Sequence, residues 1–233
     1  MVAETAAGTH LVKLRGAAQG TASLVAEVIV GALADHLGLP VPARRIVTLT
    51  QDTLTDDRND ELADLLTASI GDNLGFVYLP TARAFHPGEV ARVDPEFASR
   101  VRWLDWLVMN PDRSRANPNL LVEGARFWLI DHGAALPFHH NWATATEEAP
   151  HREEAGHPHL LAAQATRIRE RDALLTAAIS REVLVAAVAD VPDSFLAPLM
   201  SPNAAAGSLE RRRAAYVAFL WKRLQGPRHL AGP

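Results

Sequence analysis

The sequence predicts an α+β protein of two lobes, a small one of strands with one helix and a larger one that is mostly helical. Residues 10–14 and 45–49 are short, β-branched or apolar runs typical of strands, and residues 21–37 between them have helical periodicity. Beyond them, most periodic segments have helical spacing, with one hairpin as the clear exception. We therefore predict a small lobe at residues 1–50 and a large, helical lobe at residues 51–233.

The length and composition of the chain fit this architecture. A chain of 233 residues can bury a sizeable core, either as one large domain or as two lobes of about 100 residues each. Hydrophobic residues make up 48% and charged residues 21%, which is ordinary for a globular protein. Since no apolar run reaches the roughly 18 residues that span a bilayer, we expect no membrane segment.

Composition also bears on compartment and on partners. The first dozen residues lack a positively charged start followed by a long apolar stretch, so we expect no secretory signal and a cytoplasmic protein. The absence of cysteine excludes disulfides, thiolate catalysis and cysteine-based zinc sites. A net charge of −4 argues against general nucleic-acid binding, which needs a basic surface to displace counterions.

The predicted small lobe contains two candidate functional residues, a lysine and a glutamate. Lys13 lies among apolar neighbours in the predicted strand 10–14, and Glu27 lies in the first half of the predicted helix 21–37. The glycine-containing residues 16–21 could present backbone N–H groups to phosphate, although a flexible connector is the preferred interpretation. By itself, a lysine in a strand is usually a surface residue.

The next segments lead toward the centre of the chain. Residues 51–60 are acidic and rich in turn formers, which predicts a link between the lobes, and residues 60–69 have helical spacing. A longer helix begins near Asp94, with a proline in its first turn, and runs to about Met109. We interpret its tryptophans as core packing rather than as contacts to a cofactor.

The most informative stretch is residues 110–133. Residues 120–122 and 127–130 are short apolar runs joined by a polar turn that contains glycine, a pattern typical of a β-hairpin. Asp112 and Asn117 precede the first strand, and Asp131 ends the second.

A hairpin brings the outer ends of its two strands side by side. We therefore expect Asn117 and Asp131 to lie close together, although fourteen positions separate them. An amide oxygen beside a carboxylate is a hard-oxygen pair suited to Mg²⁺, which completes its octahedron with water and phosphate oxygens. Asp112 is then free to orient an attacking hydroxyl.

This order of residues resembles the catalytic constellation of kinase-fold phosphotransferases. The match begins with an aspartate followed, after four residues, by an asparagine. A pair of strands then leads to Asp-x-Gly, so both the spacing and the hairpin between the asparagine and Asp-x-Gly agree with the constellation. Asn-Pro precedes Asp112 where a protein kinase has His-Arg, and His132 stands where it has phenylalanine. The chain is thus similar to atypical kinases, most of all to the HipA-like kinase domain family, and less to lipid kinases and aminoglycoside phosphotransferases.

The resemblance implies a fold and a set of roles. It implies a bilobal, protein-kinase-like α+β fold with a reduced N-terminal lobe, and ATP and Mg²⁺ as cofactors. Asp112 would be catalytic, Asn117 and Asp131 would hold the metal, and a Lys13–Glu27 pair would contact the nucleotide phosphates. Residues 71–80 also resemble a glycine–phenylalanine segment of this family. The phosphate acceptor stays open among a protein serine or threonine, a small metabolite and the protein itself.

One feature favours a different class of function. Only twelve residues precede Lys13, so the glycine-rich hairpin that covers the nucleotide in kinases is absent or very short. The alternative is a non-catalytic module that binds a nucleotide or a partner protein. Aspartate and asparagine near prolines are also common in ordinary turns, but three of them at kinase spacing around a hairpin favour the enzyme.

The last third of the chain predicts supporting helices at residues 160–178, 181–188 and 209–224. The basic residues of the last helix could suggest a membrane or nucleic-acid surface, but its apolar face favours a docked helix. Histidines could suggest zinc, but without HExxH spacing we favour surface histidines in a polar loop. These histidines are His139, His140, His151, His157 and His159.

Overall fold

The computed structural model describes residues 1–17, 19–53, 60–152, 158–200 and 207–228. Within these ranges the chain forms seven α-helices and two antiparallel sheets of four and three strands. The protein is therefore a mixed α+β structure, as the sequence predicts. None of the helices in these ranges is long and apolar enough to cross a membrane.

The first sheet contains four strands in the order β1-β2-β4-β3, and every neighbouring pair is antiparallel. The strands are β1 (Val2–Thr5), β2 (Gly8–Lys13), β3 (Arg44–Leu49) and β4 (Gly71–Val77). A tight turn with Gly8 at φ 101° joins β1 to β2. Because β4 lies between β2 and β3, the sheet includes residues beyond position 50, where we place the end of the small lobe from sequence; that boundary stays a prediction.

Helix α1 (Gly20–His36) follows β2 and lies within one residue of its predicted bounds. It is buried over most of its circumference because it packs against helices α5 (Arg181–Ala189) and α6 (Asp193–Leu196) from the end of the chain. Gly38, at φ 64°, ends the helix in the left-handed conformation that glycine adopts at little cost. The central position of α1 keeps Glu27 away from solvent.

Helices α2 (Asp60–Ala68) and α3 (Pro95–Leu107) lie near their predicted positions. The Asp94 carboxylate caps α3 by accepting a 3.0 Å hydrogen bond from the Phe97 amide.

The second sheet carries the predicted hairpin. Its strands are β5 (Arg83–Ala84), β6 (Leu120–Glu123) and β7 (Arg126–Leu129), which lie in the order β5-β6-β7. The hairpin predicted from sequence is confirmed as β6 and β7.

The C-terminal part is helical, but one predicted boundary is wrong. Helix α4 spans Ile168–Ala178, whereas residues 160–167 form turns rather than the predicted start of that helix. Helix α7 (Ser208–Gln225) is docked as predicted, because its Tyr216, Leu220 and Leu224 are buried.

The interpretation of the histidine cluster as surface residues is wrong for His139. This residue is 4% exposed, and its Nδ1 lies 3.1 Å from the Tyr216 hydroxyl of α7. Its burial depends on a helix about 75 residues later in the chain, which local polarity does not reveal. His157 lies outside the described residues.

Candidate active site

A lysine and a glutamate from neighbouring elements meet at the centre of the molecule. Lys13, at the end of β2, places its Nζ 2.5 Å from Oε1 of Glu27 on α1. The Glu27 side chain is fully buried, and the same Oε1 also accepts a 2.9 Å hydrogen bond from the backbone N–H of His132. The glutamate thereby joins the first sheet to the segment that follows β7.

Asp131 belongs to the same cluster. Its Oδ1 lies 2.5 Å from Lys13 Nζ, and its side chain is 47% exposed. Asp131 follows the hairpin in the left-handed conformation, with φ 56°, which aspartate tolerates better than most residues. Gly133 lets the chain pass close to the start of α1, since an added Cβ would lie 3.1 Å from Cβ of Ser23.

Burial and charge act in opposite directions in this cluster. Burial lowers the pKa of Lys13, but the charges and hydrogen bonds of Glu27 and Asp131 outweigh this effect, and the pKa of the ammonium is raised above its ordinary value. Burial raises the pKa of Glu27, and the Lys13 ammonium partly offsets it. Burial, together with the charge of Arg113, lowers the pKa of His132 to about 3, which keeps its ring neutral. Lys13 is therefore a persistent cation between two carboxyl groups.

A second group of side chains surrounds Asp112. Asp112 Oδ2 accepts a 2.7 Å hydrogen bond from Asn117 Nδ2 and a 3.1 Å hydrogen bond from Asn119 Nδ2. Asp112 is half-buried and Asn117 is exposed, so this group faces the surface of the molecule. Its described hydrogen bonds engage only one of the two carboxylate oxygens of Asp112, and Oδ1 is left to interact with a bound molecule.

The hairpin relates the two groups to each other. Leu120 pairs with Leu129, and the Ile130 amide donates to the Asn119 carbonyl at 3.1 Å, so the antiparallel arrangement continues to the outer ends of the strands. Asn117 and Asp131 therefore belong to adjacent chain ends. Among the described residues no hydrogen bond joins their side chains, and Asp131 contacts Lys13 instead. The magnesium pair stays a prediction.

The site offers oxygen ligands of the kind that Mg²⁺ accepts. In the described part of the chain, no three or more histidine, aspartate and glutamate side chains form a metal cluster. Mg²⁺ in phosphotransfer sites binds one or two protein oxygens together with phosphate and water oxygens. The half-exposed Asp131 carboxylate and the exposed Asn117 amide fit that requirement.

A cleft opens beside Lys13 and Asp131. It encloses about 280 Å³ between the two sheets, along the connection that leaves β4. Apart from Lys13 and Asp131 its lining is mostly apolar, with Leu11, Phe76, Leu79, Leu121 and Ile130 among the lining residues. A flat apolar group with a charged tail pointing toward Lys13 would fit such a cleft.

Comparison with protein families assigns the chain to a family. The family model of the HipA-like kinases matches residues 5–202, which include every residue of both groups. The chain belongs to the HipA-like kinase family. Searches of curated proteins and of solved structures returned no match.

Two parts of this candidate site in the HipA-like kinase were not predicted from the sequence. Asn119 contacts Asp112 as directly as Asn117 does, but it lies outside the kinase spacing. Leu11 lines the cleft, and the alternation of the strand could have revealed it, since residues two apart share one face and Lys13 is two positions away. Most of the remaining cleft residues come from β4, β6 and the connection after β4, and Pro42 and Ile130 come from the segments before β3 and after β7. Their proximity depends on the tertiary fold.

Proposed function

We propose that this HipA-like kinase transfers the γ-phosphate of ATP to an acceptor hydroxyl in a Mg²⁺-dependent reaction. The observation that supports this most strongly is the position of Lys13 Nζ, 2.5 Å from both Glu27 Oε1 and Asp131 Oδ1. A strand lysine that pairs with a helix glutamate beside a metal-binding aspartate is the arrangement that kinases use on nucleotide phosphates. In the corresponding bilobal fold, the four-stranded sheet and α1 form the small lobe.

The cleft supplies the nucleotide site in this proposal. Its apolar lining removes the flat faces of the adenine base from water, and Lys13 at its edge attracts the phosphates. The ammonium keeps its charge because two carboxyl groups surround it. Binding therefore combines burial of the base with a fixed positive charge.

Asn117 and Asp131 would hold the metal ion. When bound, Mg²⁺ would offset the negative charge of the phosphate groups during transfer. Asp131 would exchange its contact with Lys13 for the metal, which leaves Lys13 paired with Glu27 and free to contact phosphate. Glu27 thus keeps the lysine in place throughout.

Asp112 would act on the acceptor. Its Oδ2 is held by two amide groups, so its Oδ1 can accept a hydrogen bond from the acceptor hydroxyl. As the hydroxyl oxygen bonds to the γ-phosphorus and ADP leaves, Asp112 takes the hydroxyl proton. The acceptor in this proposal is a protein serine or threonine or a small-molecule hydroxyl, and the reaction takes place in the cytoplasm.

A non-catalytic module that binds a nucleotide or a protein partner is the second candidate. The observation in its favour is the connection between β1 and β2, where Thr5 pairs with Gly8 across a tight turn. This turn is too short to form a glycine-rich loop over the phosphates. A site covered so little could bind a nucleotide without excluding water from the reaction.

An ATP titration with and without Mg²⁺, paired with a transfer assay, separates the two candidates. The assay follows label from [γ-³²P]ATP into the protein and into free phosphate. The proposal expects Mg²⁺-dependent binding together with transfer. Mg²⁺-dependent binding without any transfer would favour the non-catalytic module. The absence of ATP binding would contradict the kinase and leave only a module that binds a protein partner.

A further inference from the structure

Asp105 is a buried carboxylate close to residues 110–119, the catalytic segment that contains Asp112. It lies on α3 with 3% of its surface exposed, although most of the buried side chains of this helix are apolar. Its Oδ2 lies 2.6 Å from Nε of Arg113, whose side chain is fully buried. A buried ion pair is costly unless its remaining hydrogen-bonding atoms also find partners, so the partners of this pair are informative.

The partners of Asp105 converge on Asp112. Asn110 Nδ2 donates to Asp105 Oδ1 at 2.9 Å, and Asn110 Oδ1 accepts a 3.1 Å hydrogen bond from the backbone N–H of Asp112. On the other side, Arg113 Nη1 donates to the Asn119 carbonyl at 2.5 Å. Asn119 in turn holds the Asp112 carboxylate. The ion pair therefore reaches both the backbone and the side chain of Asp112 through one intermediate residue each.

His159 connects a third stretch of chain to the pair. Its Nδ1 accepts a 3.1 Å hydrogen bond from the Leu161 amide, so the ring proton lies on Nε2, which donates to Asp105 Oδ2 at 3.0 Å. Ser114 and His159 also form an antiparallel bridge, and the Leu160 amide donates to the Arg113 carbonyl. The catalytic segment is thus anchored to α3 and to residues 159–161.

We propose that the buried Asp105–Arg113 pair is a positioning device that sets the orientation of the Asp112 carboxylate toward the acceptor. The expected effect of this pair on turnover rests on the proposed function. Asp105 and Arg113 are positioning residues because they act through Asn110 and Asn119. Lys13, Glu27 and Asp131 have no hydrogen bond to this pair among the described contacts. Nucleotide binding should therefore depend on the pair far less than turnover does.

The first variant is Asp105→Asn, which keeps the size of the side chain but removes its charge and one acceptor. We expect the turnover number to fall on the order of 10²-fold, since small displacements of a catalytic group have effects of that size. The dissociation constant for Mg·ATP should change less than about twofold. In an Asp112→Asn background the same substitution should have little further effect on turnover, because Asp105 acts only by orienting the carboxylate that this background lacks.

A second variant covers the case in which Asp105→Asn fails to fold, since it leaves the Arg113 charge buried and unpaired. Asn110→Ala keeps the ion pair and breaks only its link to the Asp112 backbone. The matched control is Asp172→Asn, which removes a partly buried aspartate 2.7 Å from Arg228. Asp172 accepts a 2.8 Å hydrogen bond from Trp103 of α3 but, among the described contacts, has none to residues 110–119. This control should lower stability without changing turnover at a temperature where the protein is folded.

Amide hydrogen exchange gives a readout that does not require activity. Exchange at residues 110–119 should rise in Asp105→Asn or Asn110→Ala and stay unchanged in Asp172→Asn. Unchanged exchange at this segment, or a loss of turnover as large in Asp172→Asn, would overturn the positioning role. If the wild type transfers no phosphate while exchange rises as expected, the proposed function fails and the anchoring of Asp112 stands.

Discussion

Lys13 Nζ lies 2.5 Å from Oδ1 of Asp131, although 118 positions separate the two residues. This contact joins the first sheet to the end of the β6–β7 hairpin, and the cleft opens beside it. Because Glu27 contacts the same ammonium, Lys13 can lose Asp131 to a metal ion without becoming an unpaired buried charge. This arrangement supports the proposed exchange of partners at Asp131.

Replacement of Asp131 tests that exchange directly. Asp131→Asn suits the left-handed backbone at this position, with φ 56°, whereas alanine would add strain of about 1 kcal/mol. The affinity for ATP in the presence of Mg²⁺ should fall at least ~10-fold, and the Mg²⁺ dependence should nearly disappear. Isothermal titration with and without Mg²⁺ measures both effects.

Asp35→Asn is the control for this variant. Asp35 is also an ion-paired aspartate, 2.6 Å from Arg44 and 57% exposed, but it lies away from the cleft. Its ATP affinity should match that of the wild type. A folded Asp131→Asn protein with unchanged Mg²⁺-dependent affinity would remove Asp131 from the metal site and weaken the kinase mechanism as a whole.

The parts of this site that sequence could predict are those encoded locally. Three residues, Asp112, Asn117 and Asp131, are spaced around a hairpin as in a phosphotransfer site. The sequence reveals this because a hairpin brings the outer ends of its two strands together. Asp105 was missed, since helical periodicity does not show that one charged residue faces the core and meets a partner eight positions later. The place of β4 was missed because pairing between β2 and β4 spans about sixty residues and depends on the whole small sheet.

Substitution of Asp112 should lower turnover rather than the affinity for ATP. Asp112→Asn keeps the shape of the side chain but cannot take the proton of the acceptor hydroxyl. Turnover should fall by about 10²–10⁴-fold, the range typical of a positioned acid–base group, while Mg·ATP affinity changes little. Steady-state kinetics combined with an ATP titration checks this. A loss that appeared in ATP affinity instead would make Asp112 a metal-binding or structural residue.

The cleft can be closed without touching a charged residue. Ala82 lines it, whereas Ala173 of α4 is exposed and is not a lining residue, so Ala82→Phe and Ala173→Phe add the same side chain inside and outside the proposed base site. Ala82→Phe should lower ATP affinity at least ~10-fold by steric exclusion, and Ala173→Phe should not. Equal affinities for the two variants, measured by ATP titration, would place the nucleotide elsewhere.

The buried His139 should make stability depend on pH. Burial, and then the charges of His140 and Arg212, lower its pKa to about 3, compared with about 6.5 in an unfolded chain. Below pH 6.5 the unfolded state takes up a proton that the folded state does not, so the free energy of unfolding falls as the pH drops toward 3. Between pH 7.5 and pH 5 this loss is about 2 kcal/mol.

His139→Gln removes the titrating group, and urea unfolding at several pH values measures the effect. The variant should lose less stability than the wild type between pH 7.5 and pH 5. His140→Gln is the control, because it removes an exposed histidine at the neighbouring position and shows how that change alone affects the pH dependence of stability. Parallel pH profiles for the wild type and His139→Gln would contradict the assignment of a buried, neutral ring.

The two asparagines that contact Asp112 should separate metal binding from orientation of the carboxylate. Asn117→Ala removes a proposed metal ligand, so Mg²⁺-dependent ATP affinity and turnover should both fall, each on the order of tenfold or more. Asn119→Gly removes the hydrogen bonds of the Asn119 amide to Asp112, at 3.1 Å to Oδ2 and 3.5 Å to the backbone carbonyl, and glycine accepts the φ of 49° at this position. Turnover should therefore fall about tenfold with ATP affinity nearly unchanged, because hydrogen bonds to charged groups contribute about 1.5–3 kcal/mol. ATP titrations and single-turnover rates on both variants make the comparison. If both lost ATP affinity equally, the two amides would form one structural unit around Asp112, and the metal ligand would have to be another residue.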